Sequence, residues 1–385
     1  MYFFFFLFVL SVCDAQTIIS ISTLKGGDVS NSINATPPYA LYVSASSDDS
    51  SILQKVFVKT GSSIISLNAL RTRKVRQGYM ALQPYPVNAT AVITSSLSDE
   101  VISSLSGFLY ITTAKQLTDS KFFVFDVEHW QNIQIDRDVI GDATLVFLNT
   151  NLQSDPVQSS TISSWMQSND ATAYMYRGVP TDDKEDAGTQ IFSNPIKTVL
   201  KGYLTLPTVE KFSVSLGTFY IKTHNDVSFV ISSEYYNPNG QQTTGYSTTG
   251  FYMKSRTQSV QNITFPCLRD IQFNGTTGAN IIGDLPSADG IVTFGEGPDN
   301  SISVHPASRK LNGWDTNDIG ASLSISATDA VGGEYFLQYY VQQDVKISQT
   351  TPPRIDMTTT SPERTTNSSE SLRFFVSIVL VLLIC

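Results

Sequence analysis

Any acid–base chemistry in this chain of 385 residues runs through few groups, and its three histidines are the first to consider. A Ser-His-acid relay needs one of them, because imidazole titrates near neutral pH without help. His129 lies in DVEHW beside Asp126 and Glu128, His224 lies in THND next to Asp226, and His305 precedes Pro306. No G-x-S-x-G occurs, and GYSTTG at 245–250 has the wrong spacing for a nucleophile elbow. There is no H-E-x-x-H, and the one cysteine expected in the mature chain, Cys267, cannot build a thiolate metal site. Acid clusters at 46–51 (SSDDSS), 182–186 (DDKED), 284–289 (DLPSAD) and 296–300 (EGPDN) offer the hard oxygens calcium takes. None has the D-x-[DN]-x-[DN]-G spacing, so no cofactor is expected and calcium is the one ion the acids suit. Two carboxylates facing each other across a groove, as glycoside hydrolysis needs, are not identifiable from sequence. The expectation is a non-enzyme, with an extracellular hydrolase using His129 or His224 as the rival.

Binding chemistry is better marked. RTRKVR places four cations, Arg71, Arg73, Lys74 and Arg76, within six residues of an acidic chain. Such a cluster suits anionic glycans, lipid headgroups or microbial polymers; its alternation equally suits an edge strand protected by charge. EYYNPNGQQTTGYSTTGFY (234–252) combines Tyr, Asn, Gly, Gln and Ser, the residues of adaptable contact loops, and a plain long hairpin loop is the other reading. Tyr235, Tyr236 and Tyr246 are its candidate ligand contacts. The expected partners are glycans, microbial surfaces or proteins. A net charge of −9 argues against nucleic acid.

The two ends predict where the chain resides. MYFFFFLFVLSVCDAQ has an apolar core from Tyr2 to Leu10 and small residues at Cys13 and Ala15, the pattern of a secretory signal cleaved after Ala15. From Phe374 to Cys385 only Ser377 is polar. As a helix this run is about 18 Å long, against the roughly 30 Å of a bilayer core. An apolar tail of this length behind small residues suggests a signal for a glycosylphosphatidylinositol (GPI) lipid anchor, with Asn367 or Ser368 as attachment candidates. Residues 347–373 are rich in Thr, Ser and Pro and read as an O-glycosylated stalk. Sequons at Asn34, Asn88, Asn262, Asn274 and Asn367 can carry N-glycans where exposed. Removal of Cys13 with the signal and Cys385 with the tail leaves Cys267 alone, expected as a buried thiol. Only 15% of residues are charged, against about 25% in an average domain, which agrees with an exported glycoprotein.

The elements that must position these groups are strands throughout. TIISIS (17–22), YALYVSA (39–45), VFVKT (56–60), TAVITS (90–95), FFVFDV (122–127), GTFYIKT (217–223), VSFVISS (227–233), ASLSISA (321–327) and EYFLQYYVQ (334–342) are β-branched and aromatic. Residues 97–105 and 158–168 are helical at most over short stretches. The fold class is all-β, antiparallel β-sandwich modules of jelly-roll type. A faint internal repeat predicts two related copies: GFLYITT at Gly107 returns as GTFYIKT at Gly217. NIQI (132–135) returns as DIQF (270–273), and VIGDATLVF (139–147) as IIGDLPSADGIVTF (281–294). SSWMQSND around Trp165 returns as NGWDTND around Trp314. The charged stretch 181–188 then divides a first domain, 16–185, from a second, 190–346, followed by the stalk at 347–373 and the tail at 374–385.

With its signal, Ser/Thr-rich β body, Thr-rich stalk, apolar end and closing strand GGEYFLQYY (332–340), the chain resembles the nematode-type secreted CUB-like proteins. That resemblance implies jelly-roll-like modules, display on an intestinal or epidermal surface and a part in innate immune defence. A CUB module typically carries disulfides, which this chain cannot form once processed, and its calcium-binding acids match no positions here. Non-catalytic binding at the cell surface is the main expectation, with a structural coat glycoprotein as a further alternative.

Overall fold

The computed structural model describes residues 17–74, 81–129, 132–136, 141–180, 190–199, 201–238, 243–244, 247–256, 258, 263–268, 270, 272–284, 291–296, 300–304, 315–318, 322–328 and 333–346. The signal, the 181–188 stretch, the stalk, the tail, Arg76, Tyr246, Asn262, His305, Trp314 and Asn367 lie outside these residues.

The body is built of mostly antiparallel sheets stacked in pairs, as the strand pattern predicts. In the first pair one sheet runs Thr17–Ser20, Gly107–Ile111, Tyr39–Ala45, Tyr85–Val87. Its partner runs Asn31–Ser32, Ala91–Ser95, Val56–Thr60, Ser63–Ser66. Leu41, Val43, Leu109 and Ile111 from one sheet meet Val56, Val58 and Ile93 from the other, with Leu67, Leu70 and Ile102 of short helices closing the ends. Each of those helices starts on a serine: Ser66 Oγ accepts from Ala69 N and Ser98 Oγ from Val101 N, satisfying a first-turn amide.

The second pair holds a five-stranded sheet, Gln190–Asn194, Thr172–Arg177, Thr218–His224, Ala143–Asn149, Phe122–Val127. The last two strands are parallel, the rest antiparallel. The facing sheet runs Asn132–Ile135, Val227–Ser232, Ser159–Gln167, Phe212–Ser215. Between them Phe125, Phe147 and Phe219 stack with ring centroids 5.2 and 4.9 Å apart. Trp165 lies on Phe229 at 5.0 Å. Residues 159–167, expected to be helical at most, form a strand. Ser159 to Ile162 are all buried, with Thr161 and Ile162 paired to strands on both sides, and sheet pairing there outweighs local propensity.

The third pair sets Thr208–Val209, Thr248–Lys254, Glu334–Lys346, Phe273–Asp284, Asp315–Asp318 against Thr243–Thr244, Ile263–Leu268, Ser322–Thr328, Ile291–Glu296, Asn300–Val304. Phe251, Met253, Ile282 and Phe336 continue the apolar core of the second pair. Cys267 is a fully buried thiol. Among the described residues no helix is long and apolar enough to cross a membrane.

Strand pairing runs across residues 181–188. Gln190–Asn194 and Thr218–His224 pair with Thr172–Arg177, and Val227–Ser232 pairs with Ser159–Gln167. These sheets therefore join 16–185 to 190–346. The strands matched in sequence also occupy unlike places. Gly107–Ile111 belongs to the first pair and Thr218–His224 to the second, while residues 281–284 and 291–296 fall in two different sheets. The pairing does not trace two copies.

Candidate functional site

The site follows from one strand that is buried on both faces. In Tyr39–Ala45 every residue is buried. Tyr39, Leu41, Val43 and Ala45 point into the first core, so by the two-residue period Ala40, Tyr42 and Ser44 point the other way. There they meet the outer face of the five-stranded sheet, where Val124, Val146, Leu148, Tyr176 and Tyr220 gather around Tyr42 and Tyr110. The strand Phe122–Val127 divides its residues in the same way: Phe125 and Val127 enter the second core, Phe122 and Val124 face the first sandwich. Asp126, and Glu128 just past the strand end, continue that outward row. Two acids are thus delivered to a seam between sandwiches.

Each finds partners from the other side. Ser44 Oγ donates to Asp126 Oδ1 at 2.5 Å and lies 3.2 Å from the Leu148 carbonyl. Arg71, at the end of the helix Leu67–Arg71, places Nη1 2.6 Å from Glu128 Oε1 and Nη2 3.0 Å from Ser50 Oγ. Both side chains of that ion pair are only 11% exposed. Asp126 is 1% exposed. Burial, and next the nearby Glu128 carboxylate, push its pKa up to about 7, while the Ser44 hydrogen bond and the Lys74 charge oppose the rise.

A cleft of about 390 Å³ opens above this seam. Its wall from the first sandwich is Ser46 to Asp49, with Ser104 and Ser106; its wall from the second is Glu128, His129 and Thr150 to Gln153. The loops are fixed by their own polar atoms. Ser106 N donates to Asp49 Oδ2 at 3.1 Å, and Asn151 Nδ2 donates to the Ser233 carbonyl at 2.6 Å while its Oδ1 accepts from Gln153 N at 3.0 Å. Thr150 Oγ1 is buried with no hydrogen-bond partner. Such a surface can hold a hydroxyl-rich or amine-bearing ligand through many short polar contacts.

The candidates from sequence fall in several places. Over its described residues, 71–74, the basic run is not an edge strand: Arg71 ends a helix, Arg73 lies over the Tyr85 ring at 5.7 Å, and Lys74 bridges to Leu82. Arg71 and Lys74 face the Glu128 and Asp126 acids, so half of the apparent patch is an internal counter-charge. Tyr235 is partly buried, its hydroxyl 3.1 Å from Gln258 Nε2 and its pKa raised first by burial. Tyr236 lies under the Lys211 ammonium at 4.7 Å. His129 lines the cleft; His224 is exposed, with Nδ1 2.7 Å from Asp142 Oδ1 rather than turned to Asp226. Of the sequons, Asn34, Asn88 and Asn274 are exposed. Among the described residues no three acid, His or Cys side chains gather to hold a metal; of the four acid clusters only 46–51 is described throughout. Asp126, Glu128 and Ser44 were missed as a site. The only sequence signal was an acid standing on the apolar phase of FFVFDVE.

Comparison with known proteins then bears on the whole chain. A family model described as a transmembrane glycoprotein matches residues 36–383. The chain belongs to this transmembrane glycoprotein family. Membership makes it a membrane-associated glycoprotein, and the match runs from the first sandwich through the apolar run. No curated protein matches it. Among solved structures, one similar chain is a β-porphyranase of glycoside hydrolase family 86 from the human gut bacterium Bacteroides plebeius. Identity is 11%, coverage is 67% of this chain and 46% of that one, and the TM-score of 0.14 is too low to bear on fold or activity.

Proposed function

We propose that this transmembrane-glycoprotein family member is displayed on the outer cell surface and works by binding, without catalysis, through the cleft between its first two sandwiches. The observation that carries this reading is the cleft itself, whose polar loops are held between two buried cores. Loops on rigid sandwiches are the usual bearers of recognition. Of the cleft's acids, Glu128 is committed to Arg71 and Asp49 accepts from Ser106 N, while Asp48 is exposed on the wall. The ligand class that fits is a glycan, a microbial surface polymer or a hydroxyl-rich face of a protein, and defence against microbes is the setting such a ligand suggests. The antiparallel sandwiches suit a relationship to CUB-like modules. The anchor we favour is a GPI lipid joined at Asn367 or Ser368, supported by small residues ahead of the apolar run.

Two measurements test this. Cells displaying the full chain are incubated with fluorescent glycans and bacterial wall polymers. Saturable binding that weakens with Asp48→Ala or Gln153→Ala, both exposed on the cleft wall, supports the reading. A panel without any saturable ligand returns the structural-coat alternative, and turnover lost in His129→Ala the hydrolase. Phosphatidylinositol-specific phospholipase C applied to the same cells releases a lipid-anchored chain and leaves a spanning one.

A further inference from the structure

Beneath the cleft two carboxyl groups share a place that water hardly reaches. Asp126 stands opposite Leu148 in the parallel pair of Phe122–Val127 and Ala143–Asn149, and Ser44 of the first sandwich donates to its Oδ1. Among the described residues nothing donates to its Oδ2, which is buried as well. An acceptor sealed off without a donor is destabilising, most of all when it carries charge. Beside it lies a second carboxyl, for Asp126 and Glu128 are in side-chain hydrogen-bond contact. Two carboxylates bring acceptors and no hydrogen. Their contact therefore needs a proton that the pair itself carries, and the buried Oδ2 is where it fits.

The surroundings decide when that proton is held. Strand Tyr39–Ala45 brings Ser44 and Tyr42, whose phenol burial pushes up and keeps neutral. Ala143–Asn149 brings the Leu148 carbonyl, which Ser44 Oγ also faces at 3.2 Å. Arg71 and the partly exposed Lys74 come from the helix Leu67–Arg71 and the residues after it. The segment of Asp126 itself adds Glu128 and His129. The Lys74 charge favours an ionised Asp126, and burial with the Glu128 charge outweighs it. Of the two acids only Glu128 has open space on its far side. Arg71 Nη1 holds it at 2.6 Å, and it lines the cleft.

We propose that Asp126 and Glu128 form a proton-operated latch beneath the cleft: one shared proton joins the two carboxyls and keeps Glu128 on Arg71, and its loss turns Glu128 toward the cleft, whose wall gains negative charge. The proton leaves to water in the cleft, and no other bond changes. The latch rests on the reading of the cleft as the binding site and adds its regulation. Asp126 is pushed up to about 7, first by burial and next by the Glu128 charge, so the proton is held below neutral pH and lost as pH rises through it. A ligand that seats only on the latched form loses about tenfold in apparent affinity from pH 6 to pH 8.

The test needs no ligand. A thiol is placed on the cleft rim by Leu152→Cys in the full chain, in a Cys13→Ser, Cys385→Ser, His129→Gln background, so that no other accessible thiol and no neighbouring imidazole contributes; Cys267 is buried. It is reacted with two small methanethiosulfonates, one ending in trimethylammonium and one in sulfonate, and mass spectrometry follows the modification. The ratio of the two rates cancels the thiolate fraction and reports the charge of the cleft. Between pH 6 and pH 8 the cationic-to-anionic ratio should rise about threefold or more. In Asp126→Asn, whose amide donates to Glu128 at every pH and still accepts from Ser44, the ratio should stay level. In Glu128→Gln, which removes the neighbouring charge, the midpoint should move to lower pH. A level ratio in the parent, or an equal rise in Asp126→Asn, overturns the latch. Circular dichroism reports the folding of each variant. A glycan panel without any saturable ligand refutes the binding reading instead and leaves these ratios as they are.

Discussion

Asp126→Asn perturbs the seam with almost no change of shape. Burial, and next the Glu128 charge, push the Asp126 carboxyl up to about 7, against an ordinary value of 3.8. Between those values the folded state holds a proton that the unfolded chain has released. Stability therefore falls as pH rises from about 4 to about 7 and is level above. At 1.36 kcal/mol per pH unit the ceiling is roughly 4 kcal/mol. Asparagine keeps an oxygen to accept from Ser44 and carries no charge at any pH, so it removes this loss. The variant should match the parent near pH 4, exceed it by about 1.5 kcal/mol at pH 5 and by roughly 4 kcal/mol at pH 8. Chemical denaturation of both proteins at pH 4, 5, 6, 7 and 8 reads the difference, and the subtraction cancels every group that titrates alike in both. Equal pH slopes in the two proteins refute the argument, because they would mean that Asp126 is ionised in the folded state at little cost.

Three further outcomes follow from named contacts. Arg71→Ala strands the Glu128 carboxylate in the seam and should cost about 3 kcal/mol, read by the same denaturation; a cost within 0.5 kcal/mol, the range of ordinary surface changes, would show the pair to be idle. Gly107 has φ +154°, and a Cβ there would lie 2.4 Å from the Ser44 carbonyl oxygen, so Gly107→Ala should lower the melting temperature and disturb Ser44 as well. Asn34→Gln, Asn88→Gln and Asn274→Gln should each remove one glycan from the protein made in animal cells, seen as a step in gel mobility that glycosidase treatment abolishes.

The strands were legible because their signal is local. VFVKT, YALYVSA and FFVFDV coincide with observed strands, since β-branched and aromatic runs between turn residues need no knowledge of partners. The seam was hidden for the same reason. In FFVFDVE the alternation marks Asp126 as the residue turned away from its own core, which ordinarily means water. Here the outward face is covered by Tyr42 and Ser44, 82 residues earlier in the chain for the Ser44–Asp126 bond. Nothing within either segment announces that pairing. The basic run misled in a related way: spacing in RTRKVR suggests one exposed face, but capping by Ser66 starts a helix that turns Arg71 inward to Glu128. Residues 158–168 read as short helix at most, and Ser159–Gln167 is a strand through pairing with Phe212–Ser215 and Val227–Ser232 on its two edges.

The central claim, that this surface glycoprotein binds through the cleft, is tested most directly by obstructing the cleft without touching its supports. Leu152 lies on its rim, is 54% exposed and packs in none of the cores. Cells displaying the full chain or its Leu152→Trp variant at equal surface density are titrated with the glycan or wall polymer that the parent binds. The account predicts that the added indole weakens binding by about tenfold or more, a loss of at least 1.4 kcal/mol, with no change in folding stability. Unaltered affinity in Leu152→Trp would place the ligand elsewhere and contradict the account.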